Sequence, residues 1–196
     1  MAMPDVARRW TRTEVLALPD DGNRYELVDG ELLVSPSPAT IHQRAVWALY
    51  DRVAPFVKAH RLGITGLAPA DLDLESEDIL QPDLFVLDLQ RMPAHWSEVG
   101  IPRLVSEVLS PSTARYDRVV KRPRYQRARI PAYWIVDTDA RLFERWSPGD
   151  ERPEVLTGAL IWQPSATVPP LVVDLPAYFA EVWGEDLPPS VNTSAA

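Results

Sequence analysis

Along the first third of the chain, apolar positions switch between helical and strand-like spacing. Thr11-Arg12-Thr13-Glu14 has capping-box spacing and predicts a short helix through Leu18, ended by Pro19-Asp20-Asp21-Gly22. The runs Arg24 to Val28 and Glu31 to Val34 flank Asp29-Gly30, a dipeptide suited to a type I′ turn, and predict a hairpin. Ser35-Pro36-Ser37-Pro38 follows as a loop. From Thr40, read as the N-cap, Ile41, Ala45, Ala48, Leu49, Val53 and Phe56 recur at three- and four-residue steps, as one face of a helix does. Gly63 restarts extended structure, with strands expected at 64–67 and 72–74.

The middle of the chain carries two runs that are apolar on both faces, Leu84-Phe85-Val86-Leu87 and Leu104-Val105-Ser106-Glu107-Val108-Leu109. Such runs read as short strands buried on both sides of a sheet. The stretch 92–99 between them reads as loop or short helix. Ser112 or Thr113 caps a helix running toward Ala128, which Pro123 would kink or restart because proline lacks the backbone donor. Strands are expected at 132–136 and 142–146 across a turn at Asp137-Thr138-Asp139-Ala140. A further hairpin, 154–156 with 160–162, is expected around Thr157-Gly158, then a helix over 176–183. Alternating strands and helices predict an α/β fold, a mixed central β-sheet flanked by helices. One domain is expected over 1–186, with a disordered tail over 187–196.

Two acids interrupt the buried runs. Asp83 opens one after Pro82, and Glu107 lies inside the other. A carboxylate buried among apolar side chains is costly unless it is paired or holds a metal. Lys121 follows in a basic stretch. Two carboxylates and a lysine supply what metal-assisted phosphodiester cleavage requires: oxygen ligands for Mg²⁺ or Mn²⁺, and a cation to orient water or neutralise developing charge. The backbone carbonyl of Val108 is a further candidate ligand. Taken singly, Asp83 can be a strand-entry residue accepting a backbone amide, and Glu107 a buried partner of an arginine or of Lys121.

Composition changes this picture in three places. The chain has 196 residues, a net charge of −8 and no cysteine, which excludes disulfides, zinc–thiolate sites and cysteine nucleophiles. The acidic balance argues against bulk coating of nucleic acid, yet the distribution is uneven. Residues 71–88 hold seven acids and no base, whereas 115–129 hold seven bases and one acid, Asp117. Arg115, Arg118, Arg122 and Arg124 are therefore candidate contacts to a nucleic-acid backbone or to a partner subunit. No apolar run of membrane-spanning length and no signal-peptide pattern occur, so a cytoplasmic protein is expected.

Other sites are weaker. Asp137-Thr138-Asp139 fits a hairpin turn better than a phosphatase-like site, because Arg141 stands where that chemistry wants threonine. His42, His60 and His95 lack zinc-ligand spacing, although His42 is a possible accessory to the site. Trp47, Trp134 and Trp146 fit core and interface packing better than base stacking, and Trp10 and Trp96 are expected to be exposed.

Several segments in order complete the pattern. They are Tyr25-Glu26-Leu27-Val28-Asp29-Gly30-Glu31-Leu32, Ser35-Pro36 followed by His42, Pro82-Asp83, and Glu107-Val108-Leu109-Ser110-Pro111-Ser112-Thr113. Tyr116-Asp117, Lys121 with Tyr125, and Pro131-Ala132-Tyr133-Trp134-Ile135-Val136-Asp137 follow. With these the chain resembles the Uma-two family of candidate restriction endonucleases, within the PD-(D/E)xK nuclease superfamily. The resemblance implies a restriction-endonuclease-like core with Asp83 and Glu107 as metal ligands. It further implies that Glu26 or Glu31 completes the acidic cluster, and that Lys121 replaces the lysine usually found two residues after the acid, where this chain has Leu109.

The expectation is a Mg²⁺- or Mn²⁺-dependent endonuclease acting on nucleic acid, with DNA as the favoured substrate. A homodimer would suit the cutting of both strands of a duplex. The rival is a non-catalytic binding or assembly module that retains the fold. Convergence of Glu26, Asp83, Glu107 and Lys121 in one cleft separates the two.

Overall fold

A computed structural model describes residues 8–74, 77–88, 95, 99–111 and 113–185. The expected tail at 187–196, most of the 92–99 connection, Ser112 and Trp96 lie outside the described residues. Among the described residues no helix is long and apolar enough to cross a membrane.

Helix α1 (Arg12–Leu16) carries the capping box expected of Thr11 and Glu14. Strands β1 (Arg24–Val28) and β2 (Glu31–Ser35) form the expected antiparallel hairpin. Its central residues Asp29 and Gly30 have positive φ, 51° and 81°, as a type I′ turn requires. Helix α2 (Thr40–Ala59) begins one residue earlier than expected, because Ala39 occupies the N-cap and Thr40 the first turn. Strands β3 (Ile64–Leu67), β4 (Leu84–Leu87), β5 (Leu104–Val108), β6 (Ala132–Asp137), β7 (Leu142–Trp146) and β8 (Glu154–Leu156) form a sheet in that order. Only β5 and β6 run parallel. The connection between them holds α3 (Ala114–Tyr116), a π-helical turn (Asp117–Lys121) and α4 (Arg122–Arg127).

Period-two alternation sends side chains of the central strands into two separate cores. Leu84, Val86, Leu104, Val108, Trp134 and Val136 pack under α2 and α5 (Leu175–Trp183). Phe85, Leu87, Val105, Tyr133 and Ile135 pack on the opposite side with Leu33 of the hairpin and Tyr125 of α4. Glu107 shares the parity of Val105, so its carboxylate faces the layer that holds β1 and the π-helical turn.

Three local expectations need correction. The 154–156 segment does not pair with 160–162: β8 adds to β7, while β9 (Ala159–Trp162) pairs with β10 (Leu171–Asp174), a strand the periodicity did not reveal. Residues 72–74 form no strand; Leu72 makes a single bridge to Leu80. Trp47 is 59% exposed, so it does not pack in the core as Trp134 and Trp146 do.

Gly63 is required where it stands. Its φ is +124°, and a Cβ there would sit 1.8 Å from the Leu87 carbonyl oxygen of the neighbouring strand. Gly63→Ala is expected to destabilise the protein by at least about 2 kcal/mol, read as a lowered urea midpoint. An unchanged midpoint would contradict this strand contact.

Candidate active site

Five chain segments deliver charged side chains to one end of the central sheet. Strand β4 stops pairing with β5 at Leu84↔Ser106, so Glu107 and Val108 continue beyond it and Asp83 lies alongside. The Val108 N–H donates to Asp83 Oδ2 at 2.8 Å, and the Asp83 N–H reaches Glu107 Oε2 at 3.4 Å. Arg24 and Glu26 alternate on the same face of β1. Arg24 Nη1 donates to Asp83 Oδ1 at 2.9 Å, and Glu26 Oε1 accepts the Gln81 N–H at 2.8 Å. His42, in the first turns of α2, meets Asp83 Oδ2 through Nε2 at 3.1 Å.

The lysine arrives from the β5–β6 connection. Reciprocal bonds between Ser110 and Thr113 close a tight turn after β5, which folds the following helix back over the strand end. Asp117, Lys121 and Tyr125 then recur at four-residue steps. Lys121 Nζ lies 2.9 Å from Glu26 Oε2, 3.1 Å from Glu107 Oε1 and 3.3 Å from Asp117 Oδ1. The Tyr125 hydroxyl donates to Glu107 Oε1 at 2.8 Å.

Pro123 does not disrupt this arrangement, because the helix widens into the π-helical turn just before it. The Arg122 N–H reaches back to the Asp117 carbonyl. The Arg118 carbonyl, which the next backbone donor would have served, accepts Arg122 Nε at 2.9 Å instead. Such π-helical insertions are rare and concentrate at functional sites.

The cluster holds four carboxylates (Glu26, Asp83, Glu107, Asp117) around two cations, Arg24 and Lys121. All but Arg24 are almost completely buried. Burial alone would raise the Asp83 pKa. The hydrogen bond and charge of His42, with Arg24 and Lys121, outweigh it and hold Asp83 well below the usual carboxylate range. Glu107 goes the other way: burial, then the charges of Asp117, Asp83 and Glu26, push it well above its ordinary value against the pull of Lys121. Asp117 is raised for the same reasons. Burial disfavours the Lys121 ammonium, but Glu107, Glu26 and Asp117 more than compensate and raise it well above 10.5. The lysine is therefore firmly protonated.

The expected residues divide as follows. Glu26, Asp83, Glu107 and Lys121 come together, and His42 joins them. Glu31 does not: it pairs with Val28 near the hairpin turn, about 7 Å further along the hairpin than Glu26, and is exposed. Arg124 is buried against Asp78 and the Leu74 carbonyl, and Arg118 is held by Asp137 and Glu144. Arg122 stacks over Trp146 and donates to Gln126. Of the four arginines, Arg115 remains exposed. The basic stretch thus serves mainly internal pairing, because acids from the adjacent strands and loops fold onto it. Arg24, Asp117 and Tyr125 were missed. Their signals were present: Arg24 stands two residues before Glu26, and Asp117 and Tyr125 stand four residues on either side of Lys121.

A cavity of about 940 Å³ opens beside the cluster. Arg24, His42, Gln81 and Asp83 form one end, and Val46, Trp47, Leu67 and Pro38 line the rest with residues of the α1–β1 loop.

A hard divalent cation takes carboxylate and carbonyl oxygens. Asp83, Glu107 and the edge of Val108 supply those donors, since the N–H and C=O of a strand residue point to the same side. The donor set fits in kind. Its oxygens are engaged by Arg24, His42, Lys121 and Tyr125, and among the described residues no three acids or histidines stand in metal-holding geometry.

Comparison with known proteins agrees with this architecture. A family described as "Uma2: Putative restriction endonuclease" matches residues 12–176. The chain belongs to this family. A crystal structure described as "a putative nuclease belonging to DUF820", from Anabaena variabilis, has the same fold. Its TM-score is 0.68 at 20% identity, covering 88% of this chain and 99% of the other. A search of curated proteins finds no match. Family and fold are thus those of a restriction-endonuclease-like protein. Lys121 of the π-helical turn, and not Leu109, is the residue that meets Glu26 and Glu107.

Proposed function

We propose that this protein is a Mg²⁺- or Mn²⁺-dependent endonuclease that hydrolyses phosphodiester bonds, with DNA as substrate. The observation that carries this reading is the convergence of Glu26, Asp83, Glu107 and Lys121 on one buried cluster at the end of an open cavity, from segments almost a hundred residues apart. Charge balance supports it. Four carboxylates face the permanent cations Arg24 and Lys121, so ionised carboxylates outnumber them and a divalent ion would offset the excess.

In this reading Asp83 and Glu107 would hold the ion with the Val108 carbonyl, and Glu26 would assist. When bound, the ion would supply charge neutralisation at the phosphate and a water of lowered pKa. Arg24 releases Asp83 and turns to a phosphate oxygen. Lys121, held as an ammonium by Glu26, Glu107 and Asp117, donates to the developing negative charge. It does not act as a base, because its pKa is raised. His42 steadies the second oxygen of Asp83. A homodimer, each copy cutting one strand, belongs to the same proposal.

Calorimetric titration of Mg²⁺ and Mn²⁺ into wild type and Asp83→Ala, alongside plasmid cleavage, tests it. Wild type is expected to bind and cut, and the variant to lose both, with at least about 10²-fold slower cleavage. Equal metal affinity in the two proteins would remove the proposed site. Metal binding with no cleavage of any plasmid would favour a binding or assembly module.

A further inference from the structure

We infer that the cavity beside the acidic cluster takes an unpaired nucleotide of a single strand, whose base stacks on Trp47. This rests on the nuclease reading and narrows its substrate. Trp47 lies on the wall of the cavity yet is 59% exposed, an unusual position for so large an apolar side chain in a chain that buries Trp134 completely. His42 and Trp47 both line the cavity from α2, five residues apart. That separation is about 7.5 Å along the helix axis. His42 marks the end where Asp83 sits. The indole is thus displaced from the reacting end by a distance on the order of one to two nucleotides. Val46, Leu67 and Pro38 continue the apolar wall. A volume of about 940 Å³ is ample for one nucleotide and part of its neighbour.

Charge points the same way. Binding to a duplex is dominated by many lysine and arginine contacts to phosphates. Among the described residues Arg24 is the one arginine or lysine lining this cavity, against Asp20, Asp71 and Asp83. Arg118, Arg124 and Arg127 of the β5–β6 connection are paired with Glu144, Asp78 and Asp29. Every base offers a π-face, so a single strand can add stacking on Trp47 to a phosphate contact at Arg24.

The test is fluorescence anisotropy of a labelled DNA oligonucleotide in chelator, as a single strand and as a duplex, with wild type, Trp47→Ala and Trp47→Phe. The single strand is expected to bind wild type at least about tenfold tighter than the duplex. Trp47→Ala should weaken it at least about fivefold, and Trp47→Phe should restore most of the loss. The slope of log affinity against log salt should correspond to one or two phosphate contacts, about −1. An oligoribonucleotide of the same sequence reports which sugar is preferred, and either preference supports the inference when it depends on Trp47. Duplex binding as tight as single-strand binding, or an Ala variant within twofold of wild type, overturns it. Trp47-dependent binding without any metal-dependent cleavage would leave this inference standing and remove the nuclease. Cleavage with binding indifferent to Trp47 would do the reverse.

Discussion

Replacing Lys121 with methionine is expected to cost about 3–5 kcal/mol of stability at pH 7, because it leaves buried carboxylates without their shared counter-ion. Methionine keeps an unbranched side chain of comparable reach, so the effect is electrostatic and not a cavity. Glu26, Glu107 and Asp117 all lie within 3.3 Å of the ammonium that would be lost. The pH dependence identifies the mechanism. Glu107 and Asp117 have folded-state pKa values raised above their ordinary 4.5 and 3.8. Their protonation therefore favours the folded state fully below those values, and the benefit fades as pH rises through the raised ones. Lys121 is the main influence holding them down, so its loss raises them further. The deficit of Lys121→Met should be largest at neutral pH and shrink as pH approaches 4.5. In wild type the Lys121 contribution is complete below 10.5 and disappears only above that value, at the raised folded pKa. Asp83 has the opposite sign: its lowered pKa contributes stability above 3.8 that is lost on acidification. Urea denaturation of both proteins between pH 4.5 and 9 measures the Glu107 and Asp117 contribution. Equal stability at pH 7 would mean that the cage is not an ion cluster.

Glu107→Gln is expected to slow phosphodiester cleavage by roughly 10²- to 10⁴-fold while leaving the fold in place, because shape is kept and only charge is removed. The Tyr125 hydroxyl can still donate to the amide oxygen in place of Glu107 Oε1. What disappears is the charge that holds Lys121 at 3.1 Å and serves the proposed ion. Metal ligands must be deprotonated to bind. The raised pKa of Glu107 therefore makes wild-type Mn²⁺ affinity climb with pH through that raised range and level off above it. The Gln variant should bind weakly and lack this climb. Calorimetry across a pH series measures both. Identical affinities and profiles would show that Glu107 is not a ligand.

Much of the core was legible because β4, β5 and β6 carry apolar residues on both faces, a pattern few structures other than a buried strand accommodate. Asp83 and Glu107 stood out against that background for the same reason. The hairpin followed from Asp29-Gly30, whose turn geometry is local. The pairing of β8 and β9 was not legible, since a two-residue turn signal at Thr157-Gly158 says nothing about which sheet each strand joins. Nor could charge runs reveal their partners. The arginines of 115–129 looked like a rail for phosphates, and Asp78, Asp137 and Glu144 claimed two of them.

The sequence by itself determined which residue types could be buried, and hence the strands, the two carboxylates and the family. Tertiary structure decided which acids meet. Hairpin register selected Glu26 over Glu31, the tight turn at Ser110–Thr113 returned the helix over β5, and the π-helical turn before Pro123 aimed Lys121 between three carboxylates. Local patterns report burial and backbone preference. A charged cluster depends on distances between segments far apart in the chain, and only packing sets those.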